Sequence, residues 1–202
     1  MTGVANHLLI APVVLPLIAG AALMIFDERR HTLKALINAL STLLLVLLSV
    51  HLLTLADKGA ADGGAMTGVY LLGNWPAPFG IVLVLDRLSA LMLVLAALLA
   101  VAALVFALAR WHRGGPHFHT LFQFLLMGVN GAVLTGDLFN LFVFFEVMLA
   151  ASYGLALHGS GPARVKAGLH YIAINLAASS LFLIGVALIY GTTGTLNMAD
   201  LA

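Results

Sequence analysis

The sequence contains no cysteine. This excludes disulfides, thiolate metal sites, iron–sulfur ligation and cysteine nucleophiles at once. Charge is nearly as scarce: Asp, Glu, Lys and Arg make up 8% of the chain, against about 25% in soluble domains. Apolar residues make up 62%, so the chain reads as a membrane protein with little left over for a water-soluble domain. The net charge of +1 argues against nucleic-acid partners and against a polybasic lipid-binding arm. There is no Gly-rich phosphate loop, no HExxH and no GxSxG, hence no expected catalytic residue, metal or cofactor. The start, MTGVANHLLIAP, lacks the positive segment of a signal peptide. The first helix therefore reads as a retained span.

What is present is a series of long apolar runs. Six stretches approach the roughly 20 helical residues that cross a hydrocarbon core: about 8–26, 33–56, 88–109, 120–135, 138–157 and 167–190. The expected fold is thus all-α, a single transmembrane domain over 1–202. Pro12 and Pro16 lie inside the first run, which is tolerable where neighbours satisfy the freed carbonyls. Orientation follows from Lys and Arg. With the N-terminus outside, the inside loops hold Arg29, Arg30, Lys34, Arg110, Arg113, Arg164 and Lys166, and the outside loops hold only Lys58 and Arg87. An even number of spans returns the C-terminus to the outside. The longest connection ends in VYLL and IVLVL around GNWPAPFG. That pattern suggests a short β-hairpin in the outer loop 66–85, or else an irregular amphipathic loop.

Chemistry concentrates on one acid. Glu146 sits mid-way along DLFNLFVFFEVMLAASYGLAL. A lone carboxylate at the bilayer centre costs roughly 2.5–3.5 kcal/mol and usually marks an ion or proton pathway. The other reading is a residue pinned by an interhelical hydrogen bond. On its face only Tyr153 offers a hydroxyl, so a partner must come from another helix. Desolvation favours the neutral acid and a nearby cation favours the anion. A carboxylate between the two can load and release a proton.

Gln123, Asn130 and Asp137 recur every seven residues, one stripe on a helix. They are candidates for lining a polar path, or for interhelical glue. Asp137 follows Gly136 and reads first as an N-cap. Gly128 and Gly131 read as packing residues. On the sixth run His170 is a candidate proton relay or a plain interfacial hydrogen-bonder. Asn175 and Ser179 share a face and line a path or pack. Lys166 belongs to the loop charge or to the relay. His112, His117 and His119 cluster in RWHRGGPHFH, but without a second ligand group at a zinc-like spacing. His7, His31, His51 and His158 read as interfacial. Asp86 and Arg87 read as a surface pair.

Several stretches together carry a family resemblance. LTGDLFNLFVFFEVMLAASYGL (134–155) resembles the acidic fifth helix of the antiporter-like membrane subunits, those of respiratory complex I and of Mrp-type cation/proton antiporters. LDRLSALMLVLAALL (85–99) resembles their third-helix opening, usually DGLS, with Arg87 in place of the Gly. With GNWPAPFGIVLVLDRLSA, PHFHTLFQF and AGLHYIAIN, the whole chain is similar to the N-terminal portion of the D-type subunits of Mrp antiporters. The resemblance implies that Glu146 is the transport glutamate and that His170 lies near a sixth-helix relay position. It implies partner subunits, protons and monovalent cations (Na+ or K+) as cargo, and the bacterial inner membrane as location. It also implies a seventh-helix lysine that this chain does not contain, so the chain reads as part of a larger helical whole. The competing expectations are a proton-pumping subunit of a complex I-like redox assembly and a purely structural membrane subunit.

Overall fold

The computed structural model describes residues 7–61, 68–75, 80–159 and 161–202. Its helices are α1 (Ala11–Ile25), α2 (His31–Ala61), α3 (Arg87–Ala109), α4 (Phe118–Leu134), α5 (Leu138–Ala156), α6 (Pro162–Thr193) and the short α7 (Met198–Leu201). Strands β1 (Gly68–Leu71) and β2 (Val82–Leu85) form an antiparallel pair, Gly68 opposite Leu85 and Leu71 opposite Val82. The hairpin expected from the sequence is therefore present; residues 66–67 and 76–79 of that loop lie outside the described residues.

Local chemistry sets the boundaries. Asp86 caps α3 through a capping box: its carboxylate accepts from the Ser89 amide at 2.6 Å, and the Ser89 hydroxyl accepts from the Asp86 amide at 2.8 Å. Arg87 turns instead to Asp57 at 3.0 Å, which corrects the expected Asp86–Arg87 pair. Asp137 is the N-cap of α5, accepting from the Asn140 amide at 2.8 Å. Pro162 opens α6, where its missing N–H costs nothing. Arg164 and Lys166 therefore lie in the first turns of α6 rather than in a preceding loop. Gly194, at φ +73°, closes the helix in the left-handed region.

Among the described residues, four helices are long and apolar enough to cross a membrane: His31–Lys58, Arg87–Ala109, Leu138–Ala156 and Pro162–Thr193. Helices α1 and α4 are apolar but shorter, 15 and 17 residues, or about 22 and 25 Å at 1.5 Å per residue.

Helix α4 sits between α1 and α5, α2 packs on α3, and α6 touches α5 along one side. Two apolar clusters result. One joins Leu9, Leu52, Leu93 and Leu134 to Leu83 and Leu85 of β2. The hairpin is thus part of the core and not an ornament on the surface. The other joins Leu45, Ala97, Leu104, Phe118, Phe122 and Leu126. Glycines set the α4–α5 approach. A Cβ on Gly128 would lie 2.7 Å from the Met148 backbone nitrogen, and one on Gly131 would lie 2.2 Å from the Phe144 ring.

The loops gather at two ends. Glu28, Trp111, His117, His158 and Arg164 meet at one. At the other, Leu83 bridges Thr135 and Asp137 bridges Asn197.

Candidate functional site

Glu146 lies half-way along α5, on the face that carries Phe139, Phe142, Val143, Ala150 and Tyr153. The opposite side, with Phe144 and Met148, is pressed against the glycines of α4. The Glu146 face is the open one: Phe139 is 49% exposed and Val143 40%. The Glu146 Oε1 atom is nevertheless shut off from the surface and has no hydrogen-bond partner among the described residues. The Tyr153 hydroxyl, two turns on, is in the same condition, with its ring edge-to-face on Tyr171 at 5.5 Å.

Beside this face α5 and α6 frame a cleft of about 280 Å³ lined by Phe142, Phe145, Met148, Asn175, Ser179 and Phe182. Asn175 donates to the Tyr171 carbonyl at 2.8 Å. One turn earlier His170 donates to the Lys166 carbonyl at 2.8 Å, and both residues are exposed. Helix α6 is open along nearly its whole length.

Of the seven-residue stripe only Gln123 and Asn130 lie on α4; Asp137 falls beyond its end at Leu134, in extended backbone at the start of α5, and the described contacts join the three to different neighbours. Gln123 is fully buried and donates to Asn38 Oδ1 at 2.6 Å, while its own oxygen accepts from Ser41 at 3.1 Å. Asn130 donates to the Pro12 carbonyl at 2.8 Å. That carbonyl is the one Pro16 leaves without a helical N–H, so Asn130 repairs the proline break in α1. Asp137 caps α5 and forms the backbone bridge to Asn197.

A second polar set, on α2, meets the stripe at Gln123. Lys34, Asn38, Ser41, Thr42 and Ser49 of α2 are all buried. Their spacing of three, four and seven on an apolar helix is the signal that marks them in the sequence. Lys34 meets Glu28 at 2.5 Å, and Glu28 holds His117 through both the ring, at 2.9 Å, and the backbone amide, at 3.2 Å. Burial opposes the Glu28 anion, but the Lys34 hydrogen bond, the His117 amide and the two nearby cations outweigh it and hold the carboxyl below its usual range. His117 and His119 thus face different partners. His158 is buried rather than interfacial, and it donates to the Trp111 carbonyl at 2.9 Å.

Comparison with known proteins places this arrangement. Residues 135–202, which hold Glu146 and the α5–α6 pair, match the family model described as NADH:quinone oxidoreductase/Mrp antiporter, TM. The D-type subunit of a probable K(+)/H(+) antiporter of Rhizobium meliloti is 67% identical over 202 residues, covering 100% of this chain and 37% of that protein. The chain belongs to the NADH:quinone oxidoreductase/Mrp antiporter family. The D-type subunit of the Na(+)/H(+) antiporter of Alkalihalophilus pseudofirmus is 45% identical over 199 residues, 98% of this chain and 39% of its own length. In the Mrp complex structure from Dietzia sp. DQ12-45-1b one chain superposes with a TM-score of 0.87 at 36% identity, over 100% of this chain and 37% of that one. The chain therefore spans a little over a third of the length of the curated relatives it matches. As a member of this antiporter family it is a membrane-embedded, multi-pass protein.

Proposed function

We propose that the chain is part of a subunit of a multisubunit monovalent cation/proton antiporter of the bacterial inner membrane, and that Glu146 takes up and releases the proton. The carrying observation is the Glu146 carboxylate itself. It stands mid-helix with a buried, unpartnered oxygen on the open face of α5. Such a face is completed by another helix of the assembly, and a cation there controls whether the acid is charged. In this reading six helices span the bilayer, α1 and α4 with the help of their flanks. The hairpin and both termini lie outside, and the Glu28–Trp111–His158 end lies inside.

The energies are sufficient. Moving one charge through 100 mV is worth about 2.3 kcal/mol. A cation that changes the proton affinity of Glu146 a hundredfold supplies about 2.7 kcal/mol. Tyr153 is the hydroxyl on the path. Asn175 and Ser179 give the α5–α6 cleft its polar edge, and His170 with Lys166 stands where a relay would leave it. Gln123, Asn130 and Asp137 hold the helices that position α5.

Glu146→Gln in the full-length complex tests the reading. Everted vesicles carrying the variant should lose at least nine-tenths of the Na+- or K+-induced pH change at normal assembly. Retained exchange would overturn it. The family description also covers redox-driven complexes, so a proton-pumping subunit of such a complex is the second reading. Copurification separates the two: small antiporter subunits favour the first, flavin and iron–sulfur subunits the second.

A further inference from the structure

Away from Glu146, at the loop end of α2 and α4, two buried histidines lie in one hydrogen-bonded chain. His119 Nε2 faces His112 Nδ1 at 3.2 Å. On its other side His119 Nδ1 accepts from the Asn38 side-chain amide at 2.8 Å. Asn38 Oδ1 accepts from Gln123 at 2.6 Å, and Gln123 Oε1 accepts from Ser41 at 3.1 Å. His112, His119, Asn38, Ser41 and Gln123 are all buried. We propose that His112 and His119 form a binding site for a single proton, and that filling it reverses the Asn38–Gln123 amide pair and so reports the pH at this end of the protein to the α2–α4 contact.

The count of protons carries the argument. In the neutral pair one hydrogen lies between the two rings, His112 keeps its second nitrogen protonated, and His119 Nδ1 is bare because Asn38 donates to it. An added proton cannot enter the gap, since two N–H groups would then oppose each other. It must therefore sit on His119 Nδ1, with the charge shared across the gap. That nitrogen becomes a donor, and Asn38 must present its oxygen. The Asn38 nitrogen then faces Gln123, which must turn its own oxygen to meet it. The Gln123 nitrogen in turn donates to the Ser41 hydroxyl. One proton enters from water at the loop end and nothing else is consumed. A second proton is excluded by the same count.

The surroundings set when this happens. Around the pair stand Lys34 and His31 of α2, Glu28 of the preceding turn, Arg113 beside His112, and His158 after α5. Lys34 is neutralised by Glu28. Burial first, then the charges of Arg113, His31 and His158, hold His112 below the ordinary histidine value. The site is empty at neutral pH and fills in acid.

The test is a pH titration of the full-length protein in lipid nanodiscs, labelled with ¹⁵N in histidine, asparagine and glutamine side chains and read by solid-state NMR from pH 8 down to about pH 3, well below the ordinary histidine value. The expected result is uptake of one proton by the pair, His119 Nδ1 gaining a hydrogen in the same step that moves the Asn38 and Gln123 amide signals. His119→Gln should abolish the amide step, while Glu146→Gln should leave it in place. If His119→Gln does not fold, the wild-type titration alone decides. Uptake of two protons, or a charged His119 with both amide signals unmoved, or a pair that stays neutral throughout, would overturn the proposal.

Discussion

Asn130 shows how one side chain settles two problems at once. Pro16 removes an N–H that the Pro12 carbonyl needs, and in lipid no water replaces it. Asn130 reaches across from α4 to supply the donor at 2.8 Å. Replacing it by leucine keeps the volume and removes the donor, leaving a buried carbonyl bare. The expected cost is about 1–2 kcal/mol of stability, seen as a lower midpoint in thermal unfolding in detergent. Transport per folded molecule should be retained; its loss would mark Asn130 as part of the ion path instead. At this scale the sequence was legible where a residue type has one strong local use. Asp137 after a glycine reads as a helix cap and is one. Two prolines in an apolar run call for a rescuing donor and have one. Glu146 as the singular acid of its helix is plain from the sequence, while its open face and unpartnered oxygen depend on packing. Lys34 reads as a loop charge but is 2% exposed, because Glu28, six residues earlier, folds back onto it.

Helices α4 and α5 meet closely because two glycines leave room. The Gly128 position lets the Met148 backbone approach within what a Cβ would occupy. Gly128→Ala should therefore force the two helices apart and cost about 1–3 kcal/mol by overpacking. This is checked by unfolding of the variant beside wild type in the same lipid. Because Glu146 rides on α5, the same substitution should also lower exchange activity in the assembled antiporter. The six apolar runs correspond to α1 to α6, with ends to within a few residues except that α2 continues to Ala61 rather than stopping near 56 and α6 starts at Pro162 rather than near 167. The α2 polar set was harder to see. Asn38, Ser41 and Thr42 look like isolated small polar residues until α4 places Gln123 and His119 opposite them. Nothing in the linear order says which helices are neighbours, and α4 pairs most closely with α1 and α5 while α2 meets it through polar groups.

The whole molecule has two unlike ends. One is tied by backbone, through the hairpin, Thr135 and the Asp137–Asn197 bridge. The other is tied by titratable side chains: Lys34–Glu28–His117 and the His112–His119 pair. Glu28 is held below its usual range, so its contribution is present above the ordinary carboxylate value and lost as pH falls through its lowered one. His112 is also lowered, so its contribution is present above about 6.5, the ordinary histidine value, and lost on acidification below it. Both signs point the same way. The Trp111–His117 loop should loosen as pH falls from 7 to 5 through His112, and loosen further below about 4.5, where Glu28 begins to lose its share; both steps are read as faster amide hydrogen exchange there, corrected for the intrinsic rate, with little change in the hairpin. Glu28→Gln should loosen the same loop already at pH 7. Equal exchange at both ends across this range would count against the asymmetry.

The central claim is that Glu146 changes its protonation when a cation is transported, and infrared difference spectroscopy reads that group directly. Sodium or potassium is added to the assembled full-length complex at fixed pH. The account predicts loss of a neutral-carboxyl C=O band, absent from the Glu146→Gln variant. A spectrum in which that carboxyl band is unmoved by the cations, while exchange proceeds, would contradict it.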